Sequence, residues 1–295
     1  MKIILGTRGS NLAVVQSTTI KTMLEKTHPG LEVELRIIKT SGDRILDRPI
    51  HEVGKGVFVK EIEQALLNKE IDLAVHSMKD MPSELPPGLR FAPSPLGEDP
   101  RDTLVMDHKI SSLRELDGKV LGTGSLRRSM QLEDLLPTIT CSPIRGNIET
   151  RMGKVEEGLV DGVILARAGL ARTGHTANIS YTFSVEELLP APCQGILALE
   201  IREDDELIYD LLTPIADEKT NLRMETERAF QRELDAMCHS PLGVYAIIDD
   251  DEVRIKGCYG DPERGLLVRR EVTGALEDRI ALAEQLARAL KEALQ

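Results

Sequence analysis

The chain has no tryptophan, and only four tyrosines and four phenylalanines among its 295 residues. So few rings give no platform on which successive bases could stack, which argues against a single-stranded nucleic-acid binder. The four cysteines, Cys141, Cys193, Cys238 and Cys258, lie far apart with no C-x-x-C spacing. This speaks against a disulfide framework and against structural zinc, so no metal is expected. No apolar run approaches the roughly 18 residues of a membrane span. Positive charge is in short supply too: 37 basic residues against 49 acidic ones leave a formal charge of -12. That balance disfavours coating nucleic acid or anionic membrane, so any anion site must be local. Only four apolar residues precede Gly6 in M-K-I-I-L-G-T-R-G-S, with no long apolar stretch behind them, which predicts a cytoplasmic protein.

What remains is globular: 41% hydrophobic and 29% charged residues, at a length typical of about two domains. Residues 3–7 are a strand candidate, Leu12 to Met23 has helical apolar spacing, and residues 31–39 alternate with period two. The stretch 40–57 has four punctuating Gly and Pro residues and little periodicity, and reads as a long loop. A helix follows at 57–68 and a continuous apolar strand at 71–75. Strands alternating with helices predict parallel sheet covered by helices. The Pro and Gly cluster from Pro82 to Pro100 marks a boundary. Beyond it, strands near 103–106, 119–122, 139–141 and 161–165, with helices near 126–135 and 148–156, predict a second α/β unit. Pro190, Pro192 and Gly195 interrupt the chain before I-L-A-L-E-I-R, a strand expected to return to the first unit, so that two crossings form a hinge. After Pro214 come a helix at 219–235, strands at 243–248, 253–259 and 266–273 joined by hairpin turns, and a final helix with an apolar stripe from Leu276 to Leu294. The expected division is 1–96 completed by 196–214, then 97–195, then 215–295.

Chemistry concentrates at loop-to-element junctions. H-S-M-K-D, His76 to Asp80, follows the strand at 71–75, and ligands of open α/β sheets bind beyond the carboxyl ends of strands. Asp80 there can accept ligand N–H groups and stabilise a developing cation; a loop cap or surface ion pair is the plainer alternative. His76 reads as a structural hydrogen-bonding side chain, and Lys79 is open to either role. G-T-G-S-L-R-R, Gly122 to Arg128, offers Thr123, Ser125 and backbone N–H groups at a helix start, with Arg127 and Arg128 able to grip a carboxylate or phosphate. It lacks the third glycine of a dinucleotide fingerprint and the G-K-[ST] of a phosphate loop. Arg8 and Ser10 in T-R-G-S, and Arg145 and Arg151 in R-G-N-I-E-T-R, repeat the theme. Four such junctions in an acidic chain predict a ligand with several carboxylates or phosphates gathered in an interdomain cleft. For any one arginine, a surface salt bridge is the alternative. Cys238, in D-A-M-C-H-S-P-L-G, is either an exposed covalent anchor or a buried thiol.

In combination these segments closely resemble the porphobilinogen deaminase (hydroxymethylbilane synthase) family. The resemblance rests on T-R-G-S-N-L-A at 7–13, K-G-x-F-V-K-E-I-E at 55–63, L-A-V-H-S-M-K-D-M-P at 73–82, G-S-L-R-R at 124–128, R-G-N-I-E-T-R at 145–151, I-L-A-R-A-G-L at 164–170 and the cysteine loop. It implies an α/β fold of two type II periplasmic-binding-protein-like domains joined by a hinge. A small α+β C-terminal domain with a three-stranded antiparallel sheet would complete it. It also implies stepwise condensation of four porphobilinogen molecules with release of four ammonia, then hydrolysis to hydroxymethylbilane. By resemblance, Cys238 carries a dipyrromethane cofactor through a thioether. Asp80 is the catalytic carboxylate, contacting pyrrole N–H groups and stabilising the cation left when ammonia departs. Arg8, Arg127, Arg128, Arg145 and Arg151 match arginines that bind acetate and propionate groups, with Ser10, Thr123, Ser125 and Lys79 in support. Lys55 and Phe58 border a loop that covers the pocket, and the family implies a monomer. Two departures stand out: Ala236, Met237 and His239 surround Cys238 where the family has G-G-C-Q, and Cys193 replaces a glycine of P-A-x-G-Q-G. A non-catalytic two-lobed polycarboxylate-binding protein is the alternative. A DNA-binding regulator lacks both a helix-turn-helix signal and suitable charge.

Overall fold

The computed structural model describes residues 1–40, 59–234 and 240–295. Of the expected loop at 40–57, residues 41–57 with Lys55, together with Phe58 and Cys238, lie outside the described residues. In chain order the elements are β1 (Lys2–Thr7), α1 (Asn11–Thr27), β2 (Glu32–Ile37), α2 (Lys60–Leu67), β3 (Leu73–Ser77), β4 (Leu89–Ala92), β5 (Asp102–Val105), β6 (Val120–Gly122), α3 (Leu126–Leu135), β7 (Thr140–Ser142), α4 (Ile148–Glu156), β8 (Gly162–Ala166), α5 (Arg167–Arg172), β9 (Ile179–Thr182), β10 (Leu197–Arg202), α6 (Glu206–Leu212), α7 (Glu218–Glu233), β11 (Leu242–Ile248), β12 (Glu252–Asp261), β13 (Leu266–Ala275) and α8 (Arg279–Glu292). They form two compact units, residues 1–97 with 196–221, and residues 98–195 with 222–295.

The first unit is built on a five-stranded sheet in the order β2-β1-β3-β10-β4. β1 pairs in parallel with β2 and β3, whereas β10 runs antiparallel to both β3 and β4. The central position of β3 explains the apolar run of Leu73, Ala74 and Val75, since both of its faces are covered. Leu73 and Val75 pack with Ile3, Leu5, Ile20 and Leu24 on one side, and Ala74 packs with Ile62, Leu66 and Leu89 on the other. Each such fully buried Leu, Ile or Val side chain contributes about 1.5–3 kcal/mol.

The second unit holds a sheet in the order β7-β6-β8-β5-β9, again with one antiparallel strand, β5, threaded between parallel and outer strands. Its faces alternate in the same way: Leu104, Leu121 and Ile164 pack on one side, and Val105, Val163 and Leu165 on the other. The two five-stranded sheets therefore share one order, with β5 holding in the second the place that β10 holds in the first. The antiparallel sheet β11-β12-β13 packs Val244, Ala246, Val253 and Ile255 against Phe230 of α7 and Leu286 and Leu290 of α8.

Three details differ from expectation. β3 extends to Ser77, so His76 belongs to the sheet and only Met78–Asp80 forms the turn. β4 lies inside the Pro and Gly cluster, because four residues suffice once β10 supplies a pairing edge for Leu89 to Ala92. β9, α5 and α6 were not anticipated, being short and weakly periodic.

Candidate active site

In the first unit, two strand ends carry the predicted residues. β1 runs into Thr7, whose hydroxyl donates to the Ala13 carbonyl at 3.1 Å, and this closes the T-R-G-S turn around half-buried Arg8. Ser10 caps α1 by accepting the Ala13 N–H at 3.4 Å. At the end of β3, Gln16 donates to the Ser77 hydroxyl at 2.9 Å, and the Met78 N–H donates to the Ile196 carbonyl at 3.0 Å. The Met78–Asp80 turn is therefore tied to both α1 and the segment entering β10. Lys79 is half-buried and Asp80 is exposed at its tip. Behind the turn, His76 shares a 3.1 Å contact with buried Glu200 of β10. Nearby Glu63 has its carboxyl pushed up to about 7, first by burial and then by the charge of Glu200.

In the second unit, β6 ends at Gly122 and the chain enters α3 through Thr123, Gly124 and Ser125. Gly124 is required there because a Cβ would lie 2.8 Å from the Ile144 carbonyl oxygen. Thr123 is buried and its hydroxyl accepts the Ser125 N–H at 3.2 Å. Ser125 is the N-cap of α3, yet its own side chain makes no capping bond. Arg127 and Arg128, in the first turn of α3, are only 4% and 6% exposed. Both converge on Asp102, the fully buried first residue of β5. Arg127 Nη1 lies 2.7 Å from Oδ2, and Arg128 Nη2 lies 2.6 Å from Oδ1. Burial opposes ionisation of Asp102, but the two guanidiniums outweigh it and hold the carboxyl well below the usual carboxylate range. Arg145 is exposed, while Arg151 is half-buried and donates from Nε to the Gly146 carbonyl at 2.8 Å.

The crossing segment is also fixed. Cys193 has φ +57°, in the left-handed region where glycine is the ordinary occupant, and its N–H donates to Glu227 Oε2 at 2.5 Å. Its side chain is buried and burial pushes the thiol far up; the same cause lifts Cys141 to about 12 and Cys258 to about 11. Sequence reasoning did not find Asp102, Glu200 or Glu63. For Asp102 and Glu200 the signal was an acidic residue in a short, mostly apolar strand, D-T-L-V and L-A-L-E-I-R.

Residues 3–210 match the family model described as the porphobilinogen deaminase dipyromethane cofactor binding domain, and residues 221–292 match that of the porphobilinogen deaminase C-terminal domain. The chain belongs to the porphobilinogen deaminase family. Relatives include the porphobilinogen deaminase of Clostridioides difficile (strain 630), 42% identical with 99% of this chain and 98% of that one covered. Another is that of Syntrophus aciditrophicus (strain SB), 43% identical with 98% and 94% covered. Solved structures similar to this chain include immunogenic lipoprotein A of Vibrio vulnificus, at 13% identity and TM-score 0.45, covering 76% of this chain and 99% of that one. The periplasmic VFT2 domain of Bordetella pertussis BvgS follows at 15% and 0.43, covering 78% and 92%. Nothing about function transfers at that level of similarity. As a member of the porphobilinogen deaminase family, the chain is a transferase, a hydroxymethylbilane synthase of tetrapyrrole biosynthesis that works with a dipyrromethane cofactor. The α3 junction fits an acidic group of that kind: two buried guanidiniums face one carboxylate, leaving one net positive charge beside a helix N-terminus whose Ser125 hydroxyl makes no capping bond.

Proposed function

We propose that the chain joins four porphobilinogen molecules head to tail and releases the product as hydroxymethylbilane, with Asp80 as its catalytic carboxylate and Cys238 as the thioether anchor of the cofactor. When bound, the cofactor supplies the free pyrrole carbon to which the first substrate is joined. Asp80 accepts pyrrole N–H groups and sets a fixed negative charge beside the positive charge that develops as ammonia leaves. Its exposure on a turn tied down from both sides supports this role, because the carboxylate is reachable while its backbone is held. Thr123, Ser125, Arg127 and Arg128 hold cofactor carboxylates with Lys79 and Arg145; Arg8, Ser10, Arg145 and Arg151 hold those of the substrate. Lys55 and Phe58 exclude water from the reacting atoms. Residues 215–295 act as the third, cofactor-carrying domain, 97–195 as the second, and 1–96 with 196–214 as the first. The protein works as a cytoplasmic monomer on porphobilinogen and the growing pyrrole chain, without nucleic acid or membrane. No helix among the described residues is long and apolar enough to cross a membrane.

The observation that carries the site assignment is the single net positive charge left by Asp102 between Arg127 and Arg128. The anchor is supported by the other three thiols, all lifted by burial out of the reactive range. Intact mass under denaturing conditions tests the reading. Wild-type chain is expected to carry a two-pyrrole adduct that maps to the Cys238 peptide and vanishes in Cys238→Ser. An unmodified wild type would favour a polycarboxylate-binding protein, and an adduct on Cys193 would overturn the anchor.

A further inference from the structure

The buried carboxylate of Asp102 does more than neutralise a charge. Its Oδ2 accepts Arg127 Nη1, and its Oδ1 accepts Arg128 Nη2 at 2.6 Å, Arg128 Nε at 3.1 Å and Gln194 Nε2 at 2.9 Å. Further bonds run to backbone: Arg127 Nη1 to the Leu189 carbonyl at 2.6 Å, Arg128 Nη1 to the Ile164 carbonyl at 2.9 Å, and Gln194 Nε2 to the Pro100 carbonyl at 2.6 Å. Both guanidinium planes are thereby set by one acid and two fixed carbonyls. Among the described residues, the charged side chains acting on Asp102 are Arg127 and Arg128. Without the carboxylate, two buried like charges would repel, and each arginine would lose the partner that fixes its orientation.

We propose that Asp102 is a positioning residue for the deaminase reaction, presenting Arg127 and Arg128 to a single carboxylate of the pyrrole chain. The inference rests on the ligand-binding role assigned to those arginines. Displacing a guanidinium by about 1 Å is enough to cost up to about a hundredfold in a positioned reaction. Asp102 touches no substrate; it acts through the two side chains it holds.

The test uses the holoenzyme of Asp102→Asn, nearly isosteric and neutral, beside Asp102→Glu, which keeps the charge. Cofactor occupancy is read from denatured mass, KM and kcat from turnover, and folding from circular dichroism. The expected result is a folded Asn variant with incomplete occupancy and a KM for porphobilinogen raised about tenfold or more, largely recovered in the Glu variant. A folded Asn variant with wild-type occupancy and KM overturns the inference, even if its Tm is lower. Should the Asn variant fail to fold, Asp102→Asn is combined with Arg127→Met, which removes the surplus buried cation. Occupancy below that of Arg127→Met alone supports the role, and equal occupancy overturns it. Arg128→Gln separates the two levels. If it is impaired while Asp102→Asn is normal, only this inference falls; if it behaves as wild type, the arginine assignment itself falls.

Discussion

Asp80 and Glu63 illustrate two opposite uses of a carboxylate. Asp80 is exposed on a short turn, so Asp80→Asn should leave Tm within a degree or two of wild type. On the proposed role of Asp80, turnover should drop about 10²–10³-fold with the loss of its charge; a folded variant with near-normal turnover would remove Asp80 from the chemistry. Glu63, in contrast, is held up at about 7 in the folded chain against 4.5 ordinarily. The folded state then binds this proton more tightly than the unfolded one. Its contribution to stability is therefore fully present below about pH 4.5 and lost as pH rises through about 7. Glu63→Gln should raise Tm at pH 8 relative to wild type and change it little at pH 4.5. Parallel Tm profiles for the two proteins would contradict the assignment. Thr123, Ser125, Arg127 and Arg128 stand out in one-dimensional spacing because they sit where β6 gives way to α3. Asp102 and Glu200 do not, since their meaning lies in partners 25 and 124 residues away, Arg127 and His76.

Among elements, the long periodic ones declared themselves. α3 and α4 occupy the residues that apolar spacing assigned to them, and β3 was found from its apolar run, though its end moved by two residues. β4 and β9 escaped because strands of four residues depend on a neighbour's edge more than on their own pattern. The crossing segment before β10 is tightly constrained. Gly195 has φ +90°, and a Cβ there would fall 2.3 Å from the Glu98 carbonyl oxygen. Gly195→Ala must therefore shift backbone on two segments, and is expected to lower stability by about 2–4 kcal/mol. Urea titration of the two proteins checks this; a change below about 0.5 kcal/mol would show that the segment yields easily.

At the scale of the whole molecule, a charge of -12 and a polycarboxylate substrate repel each other, while the arginine junctions attract at short range. Salt screens the distant repulsion more completely than buried contacts. Raising ionic strength from about 10 to 150 mM should thus increase kcat/KM about two- to fivefold. A steady fall would mean that the local cations already dominate the approach. The sheet order has a consequence for biosynthesis. β10 occupies the place between β3 and β4, yet it follows β4 by about 105 residues. A ribosome adding about 5–20 residues per second needs on the order of 5–20 s to span that interval. Meanwhile the nascent chain has already produced every strand of the β7-β6-β8-β5-β9 sheet, while two strands of the earlier sheet still wait for their shared neighbour. The amino-terminal sheet is thus finished second, and during the wait its unpaired edges are the part of the newborn chain that a chaperone has most reason to shield.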